Sequence, residues 1–313
     1  MNRLALRFLK SYTTRQLRRR AESQRQCKRR NDDGIWLWTT DTRANGRTAE
    51  PRHAGAYGRG VRFCHYQCER SRHHSEAINS TYPYNESGTF AGSPSGECLE
   101  QLSLLSFLVG VTSSAKLLTS VMVLPHRPPV LTAKMLATID VLSNGRLIVG
   151  CGVGWMREEF EAIGAPSYDE RGSVGDEYIR AFKELWTSDN PVFEGKYCRF
   201  ANVAFAPKPV QKPHPPIWTG GESPAALRRA GRLANAWYPI GSNPRFPVGT
   251  PAQFAAYVAR VKRYATEAGR DPSALDFAYS ANWSNDQQAQ TLPDGQRRPL
   301  TGTPQQIADD IKR

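Results

Sequence analysis

No apolar run in the 313 residues approaches the ~18–20 that a membrane-spanning helix needs, so no membrane partner is expected. The N-terminus, MNRLALRFLKSYTTRQLRRR, lacks the apolar core and small-residue cleavage site of a secretory signal. It is only faintly similar to a transit peptide, and the expected compartment is the cytoplasm. Acidic side chains are scarce in the first quarter. Residues 1–75 carry 18 Lys and Arg against six Asp and Glu, while residues 76–313 carry 24 against 23. The net charge of +13 therefore belongs to one segment, and the large C-terminal part is neutral. Arginine density alone does not specify nucleic acid, and no nucleic-acid partner is expected. Metal-ligating residues are also few, with six Cys and six His. They crowd only in CHYQCERSRHH, Cys64–His74. Cys64 and Cys68 have a tolerable zinc spacing, but ligating histidines normally follow after a small intervening fold, and no metal is expected.

Residues 1–75 also lack a sustained period of 2 or 3.6, and they read as a disordered or non-native basic segment. From about Ile78 the pattern changes, and 76–313 reads as one domain. Apolar strand-like runs at 116–125, 146–154, 215–221, 235–241 and 275–283 alternate with helical patterns at 130–143, 178–186, 223–234, 251–269 and 303–312. Strand and helix in alternation imply parallel strands with crossover helices, and the count suits a (β/α) barrel with glycines lining its active face.

WTGGESPAALRRA (218–230) is the most informative stretch. A strand ends at Gly220-Gly221, Ser223 is a natural N-cap and Pro224 suits the first helical position. Glycines let the backbone approach a phosphate, and a helix N-terminus favours an anion. Gly220, Gly221, Glu222 and Ser223 are thus candidates for an anion site, with a plain capped βα turn as the other reading. The run Gly221-Glu222-Ser223-Pro224-Ala225 also imitates a hydrolase nucleophile elbow. That chemistry needs the N–H of the residue after the serine, which Pro224 does not have. GCGVGWMREEF (150–160) spaces its glycines as G-x-G-x-G, which supports a dinucleotide fingerprint only weakly. Close packing of strand and helix is at least as good a reading of Gly150 as room for a ligand, and Glu158 and Glu159 read as first-turn acids. His126 reads as either a solvated loop histidine or a catalytic one.

The words YPYNESGTF (82–90), TSVMVLPHRPPVLTAKMLATIDVLSNGRLIVGCGVGWMREEFEAIG (119–164), DERGSVGDEYIRAFKELW (169–186), FEGKYCRF (193–200) and PKPVQKPHPPIWTGGESPAALRRAGRLANAW (207–237), with the final GTP, carry a resemblance to the luciferase-like monooxygenases, closest to their deazaflavin-dependent oxidoreductases. The resemblance implies a (β/α)8 TIM barrel and a flavin- or deazaflavin-dependent oxidoreductase or monooxygenase acting on a small organic substrate. The cofactor would be FMN or deazaflavin coenzyme F420. It implies that the cofactor phosphate sits at Gly220–Ser223, that Gly152 and Gly154 leave room for the ring or phosphate tail, and that a non-prolyl cis peptide falls at Ser120-Val121 behind the ring. It also implies a homodimer if the barrel is complete.

The family's first two strands belong where this chain is scrambled. Reading GIWLWTT (34–40) and VRFCHYQCERSRHHS (61–75) one base later permits F-G-F-G-L-P and F-D-S-V-I-I-N-A-S-D-H-V-I-T-P, which look like those strands. Residues 31 to about 76 are therefore expected to be an out-of-frame translation. The usual acid–base candidates would be lost with them, so the catalytic residues are unknown. The last βα unit is also missing relative to the family, so an incomplete barrel with open edges is expected. The alternative is a non-catalytic remnant or mistranslated fragment of such an enzyme.

Overall fold

The computed structural model describes residues 62–64, 78–90, 99–281, 285–286, 288–292 and 295–312. The shifted reading and the Cys64–His74 cluster lie outside these residues, apart from Arg62–Cys64. Those three residues form a short strand, β1, that pairs in parallel with β2 (Leu117–Thr119). Beyond β2 come β3 (Met122–Val123), β4 (Leu147–Gly152), β7 (Ile217–Thr219), β8 (Ala236–Trp237) and β9 (Asp276–Phe277). The parallel order is β1-β2-β4-β7-β8-β9, with β3 also on β4. Among the described residues, β1 and β9 each have one strand neighbour.

The strands read as continuous apolar runs because both faces are covered. Leu117, Leu147, Val149 and Ile217 face outward into a core shared with α2 (Pro129–Leu142) and α4 (Arg171–Thr187), where they meet Leu136, Ile139, Phe182 and Trp186. The alternate residues, Leu118, Ile148, Trp218, Ala236 and Tyr238, form a separate inner cluster. Trp237 points outward again, against Leu227 of α5 (Pro224–Leu233) and Val261 of α6 (Pro251–Glu267). The period of two thus sorts each strand between a helix-facing layer and an inner layer.

Other elements were harder to read from sequence. Helix α1 (Gln101–Val111) has apolar residues almost all round, so it shows no 3.6 period; Glu100 starts it by accepting from the N–H groups of Leu102 and Ser103 at 3.0 and 2.7 Å. Helix α4 begins seven residues before the expected Tyr178 because Gly172 and Gly175 do not stop it. A Cβ on Gly175 would lie 2.9 Å from Val153 Cγ1, so the glycine admits the loop after β4. Strands β5 (Phe193–Glu194) and β6 (Arg199–Phe200) form an antiparallel hairpin. The buried Glu177 carboxylate accepts from the N–H groups of Lys196, Tyr197 and Cys198 in its turn at 3.0, 2.7 and 2.7 Å. Short α3 (Arg157–Ala162) and α7 (Pro304–Lys312) complete the described α-helices.

The register contains one irregularity. Leu118 pairs with Ile148, but Met122 pairs with Cys151, so β2–β3 carries one more residue than β4 over this stretch. Such a bulge redirects side chains and is frequent beside functional sites. Thr119 spans it: its hydroxyl donates to Gly150 O and accepts from Gly150 N–H, each at 2.8 Å. A Cβ on Gly150 would lie 1.8 Å from Thr119 O, so only glycine fits. Close packing against a neighbouring strand, rather than a helix, is the reason for this glycine. Gly150→Ala should therefore lower stability by about 3 kcal/mol, read as a fall in the urea midpoint. An unchanged midpoint would show that the strands have slack here.

Candidate functional site

The residues released by the bulge line a cleft of about 1030 Å³ at the C-terminal ends of the strands. All eight sequence-predicted residues, Ser120, Val121, Gly152, Gly154, Gly220, Gly221, Glu222 and Ser223, are on its walls. The Ser120-Val121 peptide is cis, at the position implied by the resemblance. Ser120 Oγ donates to Tyr238 Oη at 3.4 Å, which joins the bulge to the end of β8.

Gly152 and Gly154 serve the chain's own packing. A Cβ on Gly152 would lie 2.5 Å from Val121 Cγ2, and one on Gly154, whose φ is +85°, would lie 2.7 Å from the Phe160 ring. The space opposite these glycines is filled by the bulge and by α3, while their backbone lines the cleft.

Residues 220–223 bridge β7 and α5. Gly221 has φ +87°, a left-handed conformation that suits glycine, and a Cβ on Gly220 would lie 2.9 Å from Tyr238 O. Ser223 caps α5, its hydroxyl accepting from Ala226 N–H at 3.3 Å, and Pro224 occupies the first turn. Two cations the sequence reading missed, Arg171 and Arg229, also line the cleft. Arg229 is buried, pairs with Asp176 and donates to Gly172 O at 3.0 Å. Arg171 donates to Gly154 O at 3.2 Å and stacks 3.9 Å from the Tyr168 ring centre. Apart from Tyr168, their partners lie 17 to 57 residues away, so no local motif announces them.

The Glu222 side chain has another task. It is 1% exposed and accepts from Ile240 N–H at 2.9 Å and Asn243 Nδ2 at 3.2 Å. Asn243 Oδ1 in turn accepts from the N–H groups of Arg245 and Phe246 at 3.0 and 3.3 Å. One carboxylate thus secures the cleft-lining loop after β8. Burial raises its pKa to about 7, outweighing the hydrogen bonds from Ile240 and Asn243 that lower it.

Residues 81–86 and Gly88, from the described segment 78–90, also line the cleft. Glu158, expected to act only as a first-turn acid, accepts from Asn79 N–H at 2.7 Å and from the Ser80 hydroxyl at 2.7 Å. Tyr82 and Phe90 pack on Trp155 at 5.1 and 5.5 Å between ring centres. Burial, then the Glu222 charge, raises the Tyr84 pKa. His126 is half-buried rather than solvated. Burial first and Arg127 second lower its pKa to about 4, and its Nε2 is a buried atom with no hydrogen-bond partner.

The sequence profile of the luciferase-like monooxygenases matches residues 84–291, and the chain belongs to that family. It is 40% identical over 146 residues to the FMNH2-dependent dimethylsulfone monooxygenase of Pseudomonas putida, covering 46% of this chain and 40% of that protein. It is 32% identical over 177 residues to the pyrimidine monooxygenase RutA of Cronobacter sakazakii, covering 55% and 50%. The chain thus spans roughly half or less of the length of these relatives. Among solved structures, monooxygenase RslO1 from Streptomyces bottropensis aligns with a TM-score of 0.50 and 28% identity over 57% of this chain and 53% of that one. These likenesses and the parallel βα order define a luciferase-like TIM-barrel fold, covered in part.

The Glu222 carboxyl makes a pH prediction. In the folded chain it keeps its proton up to about pH 7, while the ordinary value is 4.5. The folded state then binds more protons than the unfolded state between these values. Its stability contribution falls as pH rises through that window and levels off above it. Glu222→Gln removes this titration. Relative to the parent, the variant should gain about 3 kcal/mol between pH 4.5 and 7.5, measured by urea unfolding. A parallel pH dependence in both proteins would refute the raised carboxyl.

Proposed function

We propose that this chain carries the cofactor cleft of a flavin- or deazaflavin-dependent oxidoreductase or monooxygenase that acts on a small organic substrate. The observation that carries this reading is the convergence of the glycine-serine turn at α5 and the Ser120-Val121 bulge on one cleft. The donor set fits a phosphorylated, ring-bearing cofactor. Gly220 and Gly221 present bare backbone, Ser223 presents a hydroxyl, and the N-terminus of α5 and the nearby Arg171 and Arg229 favour negative charge. The FMNH2-dependent relative supports FMN. Deazaflavin coenzyme F420 also carries its ring and phosphate on one molecule, and the same donors suit it.

When bound, either cofactor supplies the redox chemistry, a reduced flavin with oxygen supporting oxygenation and a deazaflavin supporting hydride transfer. The residues of this chain bind and orient. Ser223 and the 220–223 backbone hold the phosphate, and the Ser120-Val121 segment backs the ring. Tyr82 and Trp155 restrict water on one side. Glu222 holds the Ile240–Phe246 loop so that the cradle keeps its shape.

Ser223→Ala tests the phosphate assignment. It should weaken FMN binding about tenfold while leaving riboflavin, which lacks the phosphate, within about twofold, as read by quenching of flavin fluorescence. Equal losses for both ligands would mean general damage to the cap of α5 and would overturn the assignment.

A further inference from the structure

Two cleft-lining residues outside the phosphate cradle carry unmet polar atoms. Gln101 Nε2 and His126 Nε2 are buried and make no hydrogen bond within the chain. Both residues line the cleft, and Gln101 is only 3% exposed. Folded proteins seldom leave such atoms unpaired without a use for them. Their sequence neighbours tie the start of α1 to the segment after β3. Glu100 and Arg127 form an ion pair at 2.5 Å, and each directly adjoins one of the two residues in sequence. Glu100 is itself fixed as the cap of α1, and the His126 ring stands edge-on to Phe160, 4.6 Å between centres.

The chemistry of this wall is uncharged. The glutamine amide is neutral, the imidazole is held neutral by burial and by Arg127, and Arg127 is engaged by Glu100. An anionic ligand group would lie here without a free opposite charge, which is costly in a buried place. A neutral acceptor oxygen would satisfy either orphan atom without adding charge. The geometry points to a substrate subsite in which Gln101 Nε2–H and the Nε2–H tautomer of His126 donate to a carbonyl or sulfonyl oxygen of an uncharged small molecule. This deepens the proposed function, and it rests on that reading only in taking the cleft as the place where substrate is held. Gln101 and His126 are then specificity residues, and neither contributes to the phosphate cradle.

The test uses the full chain labelled with 15N-histidine, the His126 signal being identified by its loss in His126→Phe, which keeps a ring against Phe160. Dimethyl sulfone, with two acceptor oxygens, should shift the His126 Nε2 signal saturably. Dimethyl sulfide, which has the same methyl groups and no oxygen, should not. Gln101→Leu should weaken the sulfone response about tenfold and leave FMN affinity within about twofold. No response to the sulfone, the same response to the sulfide, or an unchanged sulfone affinity in Gln101→Leu would overturn the subsite. If Gln101→Leu does not fold, loss of saturation-transfer signals from the sulfone in His126→Phe supports the subsite, and their persistence overturns it. FMN titration is read separately. A sulfone response without FMN binding would sink the proposed function and leave the subsite standing, and the converse would do the opposite.

Discussion

The contact between Thr119 and Gly150 is the constraint on which the rest depends. Two strands approach so closely that no Cβ fits, and a threonine hydroxyl takes over both hydrogen bonds that the regular ladder would have made. That substitution lets β2–β3 hold one extra residue without orphaning the backbone of β4, which a buried strand would not tolerate. The extra residue sends Ser120 and Val121 to the cleft. The same crowding explains why Gly152 must also be glycine, since Val121 fills the space its side chain would need. Remove the close approach and the cleft loses its floor.

Carboxylates form the joints between this frame and the loops around it. Glu222 ties the loop after β8, Glu158 ties residues 79–80 to α3, and Glu177 gathers three N–H groups of the β5–β6 turn. A carboxylate has enough lone pairs to satisfy several backbone donors at once, and hydrogen bonds to a charged acceptor are the stronger kind. Glu222 is the most buried of the three, and desolvation lifts it toward neutrality. The loop it secures therefore depends on a group that changes charge near physiological pH.

Much of the frame was legible in the sequence where physics leaves a local mark. β4 and β7 read as apolar runs because both faces are covered, and they end in glycines because the chain crowds there. The cap at Ser223 and Pro224 marks the start of α5 by itself. Helix α1 stayed hidden because it is apolar on nearly every side. The β5–β6 hairpin stayed hidden because its strands have two residues each. All eight candidate residues lie on the cleft, yet the reasons differ: those for Gly152 and Gly154 lie in Val121 and Phe160, and the partners of Glu222 are 18 and 21 residues away. Gln101 could not be singled out, because its role depends on an ion pair between residues 27 positions apart.

The central claim is that one cleft holds a phosphorylated, flavin-like cofactor in a fixed direction, its phosphate at the N-terminus of α5 and its ring against the Ser120-Val121 segment. The most direct measurement is a structure of the chain with FMN bound. The account predicts the phosphorus within hydrogen-bonding reach of the Ser223 hydroxyl and the Gly221–Ser223 backbone, with the ring on the bulge. An FMN bound the other way round, with its phosphate beside Arg127 and His126, would contradict it.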